Sequence, residues 1–185
     1  MGKLIYSMMT SLDGFVETPD RSLDWARIDK EIHEFANAEF ASTGISLHGR
    51  RIYELMAQFW PTADDDPDAP DYIVEFARIW RAKPKVVFSG TLTEVDWNTR
   101  LVDSDAVEEV RRLKAESDED LDVAGPTLAA SMIAAGLVDE YRLMVNPVIL
   151  GAGTPYLPAN AHAELVLHDV RRFESGVVFL RYKAG

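Results

Sequence analysis

An α/β sandwich with a mostly parallel central sheet and antiparallel C-terminal strands is the fold that the sequence predicts, on three observations. Between Leu4 and Gly136, short apolar runs alternate with segments of three- and four-residue apolar spacing, as expected of strands joined through helices. From Glu140 onward strand-like runs dominate, which places antiparallel strands at an edge of the sheet. The chain has 185 residues, enough for one well-buried domain over 1–185 and short for two.

Leu4 to Thr10 is short, apolar and weakly alternating, and predicts a first strand. Residues 11–28 carry Gly14, Pro19 and several Asp and Ser, the composition of a long loop of the kind that lines a site. From Asp29 the pattern turns helical, with Ile28, Ile32, Phe35, Ala36 and Phe40 recurring at three- and four-residue spacings, and Gly44 ends the helix. Ile45 to His48 predicts a short strand, and Gly49 opens a second helix over Arg50 to Phe59, stopped by Pro61. The acidic, proline-rich TADDDPDAPD is a solvated loop before a third helix, Tyr72 to Arg81. Lys85 to Ser89 is a strand running into Gly90. A fourth helix starts around Asp105, with Asp105 and Glu108 in capping-box spacing and Val107, Val110 and Leu113 on its buried face. The strand LDVAG precedes a fifth helix from Pro126 through Ala135, with Gly136 as its stop. Glu140 to Leu150, Glu164 to Phe173 and Val177 to Lys183 read as long strands, the last two joined in a hairpin through Glu174, Ser175 and Gly176.

Composition removes several classes of function. Nineteen Lys and Arg against thirty-one Asp and Glu leave a formal charge of −12, which repels phosphate backbones and argues against nucleic-acid binding. The absence of cysteine removes disulfides, thiolate nucleophiles, cysteine-ligated zinc and iron–sulfur clusters, and fits a cytoplasmic enzyme. The N-terminus lacks the longer apolar region of a signal peptide, and no run approaches about 18 apolar residues, so neither secretion nor a membrane span is expected. His33, His48, His162 and His168 have no metal-ligand spacing and read as structural or exposed, and no metal site is expected. No GxSxG elbow, GxGxxG fingerprint or GxxxxGK[ST] loop occurs.

Three strand ends carry residues suited to a nucleotide. At HGRRIYE, Gly49 permits close backbone approach, and Arg50 and Arg51 sit at a helix start, a phosphate receptor unless both pair with surface carboxylates. At VFSGT, Ser89 and Thr91 either offer hydroxyls or form an ordinary turn. At DVAGPTL, Gly125 and Pro126 lead from strand to helix, where free backbone N–H groups receive a pyrophosphate or the pair merely caps the helix. Asp13, Asp24, Trp25, Asp29 and Glu31 put carboxylates and an aromatic in or beside the first loop. A planar heterocycle could lie on Trp25 while a carboxylate holds its ring nitrogen; alternatively Trp25 anchors the loop and Asp13 caps its turn.

SLDGFVE at 11–17, LDWARID at 23–29, LHGRRIYE at 47–54, VVFSGTL at 86–92, the block VAGPTLAASMIAAGLVDEYRLMVNPVILGAGTPYL at 123–157 and RRFESGVVFLRY at 171–182 span nearly the whole chain. In this order they resemble the dihydrofolate reductase-like superfamily, and more closely the family built on the C-terminal reductase domain of the bifunctional riboflavin-biosynthesis protein. The resemblance implies a dihydrofolate reductase-like three-layer sandwich and NADPH as hydride donor to a pterin-like, pyrimidine-like or ribosylamino-pyrimidine substrate. It implies Arg50 and Arg51 near the adenosine 2′-phosphate with Ser89 beside it. Gly125, Pro126 and Thr127 would cover the pyrophosphate, and Gly151 and Gly153 would shape a nearby turn. Asp13, Gly14 and Trp25 look like the loop over nicotinamide and substrate, with Glu31 or Asp29 as the acidic substrate residue. A homodimer through the antiparallel edge is also implied. Two departures stand out: Ala124 and Gly125 replace the family's common pair of glycines, and the zinc-binding His and Cys signature of the accompanying deaminase domain is absent.

Overall fold

The computed structural model describes all 185 residues. Its ten strands are β1 (Leu4–Thr10), β2 (Phe15–Glu17), β3 (Ile45–Gly49), β4 (Lys85–Phe88), β5 (Thr99–Val102), β6 (Leu121–Ala124), β7 (Glu140–Val145), β8 (Thr154–Pro155), β9 (Leu165–Arg172) and β10 (Val178–Ala184). The helices are α1 (Lys30–Ala41), α2 (Arg50–Phe59), α3 (Asp71–Ala82), α4 (Ala106–Glu116) and α5 (Pro126–Ala134). Eight strands form one sheet in the order β5-β4-β3-β6-β1-β7-β10-β9, and β2 pairs with β8 in a separate ribbon. The pairings from β5 to β7 are parallel, and β10 runs antiparallel to both β7 and β9, so the sandwich with antiparallel C-terminal strands is realised. No helix is long and apolar enough to cross a membrane.

The strand alternation sorts side chains into two layers. Leu4 and Tyr6 of β1, Leu47 of β3, Val123 of β6 and Tyr141 of β7 face Val110 and Leu113 of α4 and Leu128 and Met132 of α5. On the other face Met144 and Phe179 meet Ile32 of α1, with Phe35 and Ala36 packed alongside. The helices start where local chemistry satisfies their free N–H groups. Asp29 accepts from Ile32 N at 2.9 Å, and Asp105 accepts from Val107 N at 2.9 Å, while Pro126 stands in the first turn of α5.

Several boundaries differ from the sequence reading. The strand expected over Glu140 to Leu150 stops at Val145, because the chain turns at Asn146, with Val148 N on Asn146 O at 2.8 Å, and the buried Asn146 side chain bonds Met144 O and Arg27 N. β2 lies inside the segment read as a loop, β8 lies in the stretch after Leu150 where the sequence predicts no element, and β5 is an edge strand that TRLV, half polar, did not announce. Pro61 sits within a short 3-10 turn over Trp60–Thr62 rather than closing α2 directly.

The 146–157 segment is pinned to β1 by a reciprocal pair. Tyr6 Oη donates to Tyr156 O at 3.0 Å, Tyr156 Oη donates to Tyr6 O at 3.1 Å, and the rings stack with centroids 4.3 Å apart. Burial pushes both phenols up, so both remain donors at neutral pH. Tyr156→Phe keeps the stacked ring and loses one bond, and is expected to cost about 1–2 kcal/mol, seen as a lower urea midpoint with an unchanged m-value.

A polar layer lies beneath α1 and α3. Asp122, Ser46 and Lys85 stand side by side across β6, β3 and β4, and all are buried together with His48. Ser46 Oγ donates to Asp122 Oδ2 at 2.6 Å and faces His48 Nε2 at 2.8 Å, while Lys85 Nζ donates to the carbonyls of Trp80 and Lys83. Burial, reinforced by the Lys85 charge, pushes His48 from 6.5 down to about 3. Folding therefore excludes a proton that the unfolded chain binds, and this contribution is present above pH 6.5 and lost as pH falls toward 3. Burial raises Asp122, which acts in the opposite sense: its contribution is present at low pH and lost as pH rises. His48→Gln isolates the first effect. As pH falls from 6 to 4, the wild type should lose stability relative to the variant by about 1.4 kcal/mol per pH unit, and a pH-independent difference would remove His48 from the balance.

Candidate functional site

The sheet order puts β3, β6 and β1 side by side, so the segments leaving their C-terminal ends meet at one edge. There they enclose a cavity of about 760 Å³. α2 begins directly at Arg50 with Gly49 as a cap that has no side-chain hydrogen bond, and α5 begins at Pro126 behind Gly125, likewise without a side-chain cap. Gly125 holds φ +97°, and a Cβ there would sit 2.9 Å from Ile52 Cγ1. A glycine is needed for the backbone sign and for the close approach of the two helix starts. The result is two helix N-termini, both positive dipole ends, beside one cavity.

Five charged residues line it. Arg50 Nη1 donates to Thr91 Oγ1 at 2.7 Å and its Nε to Glu54 Oε1 at 2.8 Å, with Ser89 Oγ 3.3 Å from the same threonine hydroxyl. Arg51 grips Glu17 through both terminal guanidinium nitrogens, Nη1 at 2.7 Å, and Thr154 Oγ1 donates to the same carboxylate at 2.6 Å. The Arg51 hydrogen bond holds the Glu17 carboxyl below its ordinary range, against the opposing effect of burial. The fifth is Arg21.

Gly49, Arg50, Arg51, Pro126 and Thr127 thus share the cavity wall, with Gly125 immediately behind and Ser89 reached through Thr91. The other expected residues lie off that wall. Asp13 accepts from Ser11 Oγ at 2.7 Å, Leu150 N at 3.1 Å and Gly151 N at 2.7 Å, bonds that lower its carboxyl to about 2 and fasten the first loop to the 146–153 turn. Trp25 Nε1 donates to Ser22 O at 3.2 Å and anchors its own loop. Glu31 stands on α1 and pairs with Arg171 of β9 at 2.8 Å, outside the cavity. Gly151 and Gly153 occupy the turn before β8, and a Cβ on Gly153 would overlap the Glu17 carbonyl. Sequence reasoning missed Glu17, Arg21 and Thr154 as cavity residues. Glu17 closes SLDGFVE, but its partners are 34 and 137 positions away, and no local pattern pairs them.

The residues fit a nucleotide cofactor: two uncapped helix starts, a glycine with no room for a side chain, and a guanidinium held beside two hydroxyls.

The profile of the RibD C-terminal domain family matches residues 2–179. A protein of Bacillus subtilis (strain 168) named YyaP, described as uncharacterized, is 32% identical over 184 residues, covering 97% of this chain and 94% of that protein. Among solved structures, Acinetobacter baumannii RibD superposes with a TM-score of 0.70 at 15% identity, covering 100% of this chain and 58% of that one. Dihydrofolate reductase from Enterococcus faecalis, complexed with NADP(H), superposes with a TM-score of 0.66 at 12% identity, covering 100% of this chain and 97% of that one. These structural likenesses establish the dihydrofolate reductase-like fold.

Proposed function

Because the chain belongs to the RibD C-terminal domain family, we propose that it is an NADPH-dependent reductase, working as one domain over 1–185, that transfers a hydride to a pterin-like, pyrimidine-like or ribosylamino-pyrimidine heterocycle. The observation that carries this reading is the convergence of two uncapped helix N-termini and Arg50 on one cavity. In this reading Arg50, with Ser89 and Thr91, receives the 2′-phosphate; Gly125, Pro126 and Thr127 border the pyrophosphate; and Gly49 allows the backbone to approach. NADPH when bound supplies the hydride. The chain orients the reactants and limits water between them, and Met8, Val16 and Leu23 are among the apolar residues of the cavity wall.

Substrate-dependent loss of NADPH absorbance, screened over dihydropterins and aminopyrimidines and accompanied by calorimetric titration with NADPH and NADH, tests the proposal. Oxidation with at least one substrate supports it, and no binding of either nucleotide sinks it. The carboxylates favour a second reading, a nucleotide-binding protein with little reductase activity. Glu17 and Asp13 are both held ionised by hydrogen bonds, which makes them poor proton donors near neutral pH. That protein would bind NADPH and oxidise it with none of the substrates.

We also propose a homodimer through the antiparallel edge. All eight residues of β9 are exposed, and Leu165, Leu167 and Val170 share one face with Leu180 and Tyr182 of β10. An uncovered apolar strand at a sheet edge needs protection. Light scattering should give twice the chain mass, reduced to the monomer by Val170→Arg.

A further inference from the structure

We propose that Arg21 is a ligand-binding cation that receives a phosphate or diphosphate group at the cavity mouth. The inference rests on the cavity being a ligand site and is independent of hydride chemistry. Three observations carry it. First, Arg21 holds φ +67°, a left-handed backbone that a glycine would adopt without steric cost. It stands in a tight turn closed by Arg21 N on Thr18 O at 2.8 Å and by Ser22 N on Thr18 Oγ1 at 2.9 Å, and nothing in that turn requires a long side chain. Second, Arg50 and Arg51 are matched by Glu54 and Glu17, whereas the Arg21 guanidinium makes no ion pair or hydrogen bond within the protein. Arg21 therefore supplies the uncompensated positive charge among the cavity's ionised groups. Third, it lines the cavity closely enough for its charge to bear on the Glu17 carboxyl. In a chain of net charge −12, a free cation there makes a local positive spot that draws anions to the cavity.

A residue that strains its backbone and leaves its charge unpaired should gain fold stability and lose ligand affinity when replaced by glycine. Arg21→Gly is expected to raise Tm by about 2–4 °C, and to weaken anion binding about 5- to 20-fold. Arg21→Lys retains charge and backbone strain, so its Tm should not rise and, as a point charge on the phosphate, its affinities should stay within about threefold of wild type. Calorimetry with NADPH, NADH, inorganic pyrophosphate and ribose 5-phosphate on wild type and both variants distinguishes the sources. Parallel losses for NADPH, NADH and pyrophosphate in Arg21→Gly assign the cofactor's diphosphate to Arg21. A loss for ribose 5-phosphate alone assigns a phosphorylated substrate. If the wild type binds pyrophosphate through Arg21 but neither nucleotide, the inference stands while the reductase reading falls. Unchanged affinity for every probe in Arg21→Gly, or no binding of any probe to the wild type, overturns the inference.

Discussion

Arg50→Ala is expected to weaken NADPH binding by about 10- to 100-fold, the equivalent of about 1.5–3 kcal/mol for charge-assisted hydrogen bonds, and to leave NADH binding nearly unchanged. The guanidinium is already oriented by Glu54 and Thr91, so little side-chain freedom remains to be lost when a dianionic phosphate arrives. Arg51→Ala should behave differently despite its adjacency. Its guanidinium is committed to Glu17, whose side chain is only 9% exposed, and removing it leaves that carboxylate with the Thr154 hydroxyl as its remaining hydrogen-bond partner. Because Arg51 itself is half exposed, solvent offsets part of the loss, and the expected destabilisation is about 1–2 kcal/mol, with no selective loss of NADPH over NADH. Calorimetry with both nucleotides, paired with urea denaturation, separates the two. Equal losses of NADPH and NADH in Arg50→Ala would remove Arg50 from the 2′-phosphate.

Features set by neighbouring residues were legible in the sequence, and features set by distant ones were not. α1, α4 and α5 were visible because Asp29, Asp105 and Pro126 signal helix starts within a turn of the apolar stripe they introduce. The buried central strands were visible as KVVF and LDVA, short, mostly apolar runs bounded by turn signals, although each carries one buried charged residue, Lys85 or Asp122. β5 was hidden because an edge strand can keep Arg100 in solvent, where its guanidinium pairs with Glu109, and it is defined chiefly by its pairing with β4. β7 was overextended because NPVIL is apolar; Asn146–Pro147 is nevertheless a local turn signal, and the tertiary bonds of Asn146 fix the turn in place. The same division runs through the candidate site. Gly49–Arg50 and Gly125–Pro126 are local strand-to-helix signals and could be read. The Glu17–Arg51 pair depends on contact across 34 positions, and the backbone of Arg21 contradicts its own residue preference, so neither could be read. Glu31 is legible as an acidic residue of α1, but its pairing with Arg171 of β9, 140 positions away, is not a local feature.

Gly153→Ala is expected to lower stability by about 3 kcal/mol or more, which for a chain of this size is a Tm loss of roughly 6–12 °C. Two causes add. Its φ of +143° disfavours any side chain, and the added Cβ would overlap the Glu17 carbonyl and lie 3.0 Å from the carbonyl carbon. That neighbour is backbone and cannot rotate away, so relief requires β8 to move from β2, breaking the register that sets Glu17 opposite Thr154. The Thr154 hydroxyl would then withdraw from the Glu17 carboxylate and loosen the wall that Arg51 completes. Gly151 provides the control two residues earlier. It holds φ +74° with nothing within 4 Å of an added Cβ, so Gly151→Ala carries only the left-handed backbone penalty, about 1–2 kcal/mol. Its N–H to Asp13 survives the substitution. Thermal denaturation of the two variants should therefore differ by several degrees, with Gly153→Ala the lower. Equal losses would mean that β8 shifts at no cost, and that the approach of the turn to Glu17 does not fix the ribbon against the cavity.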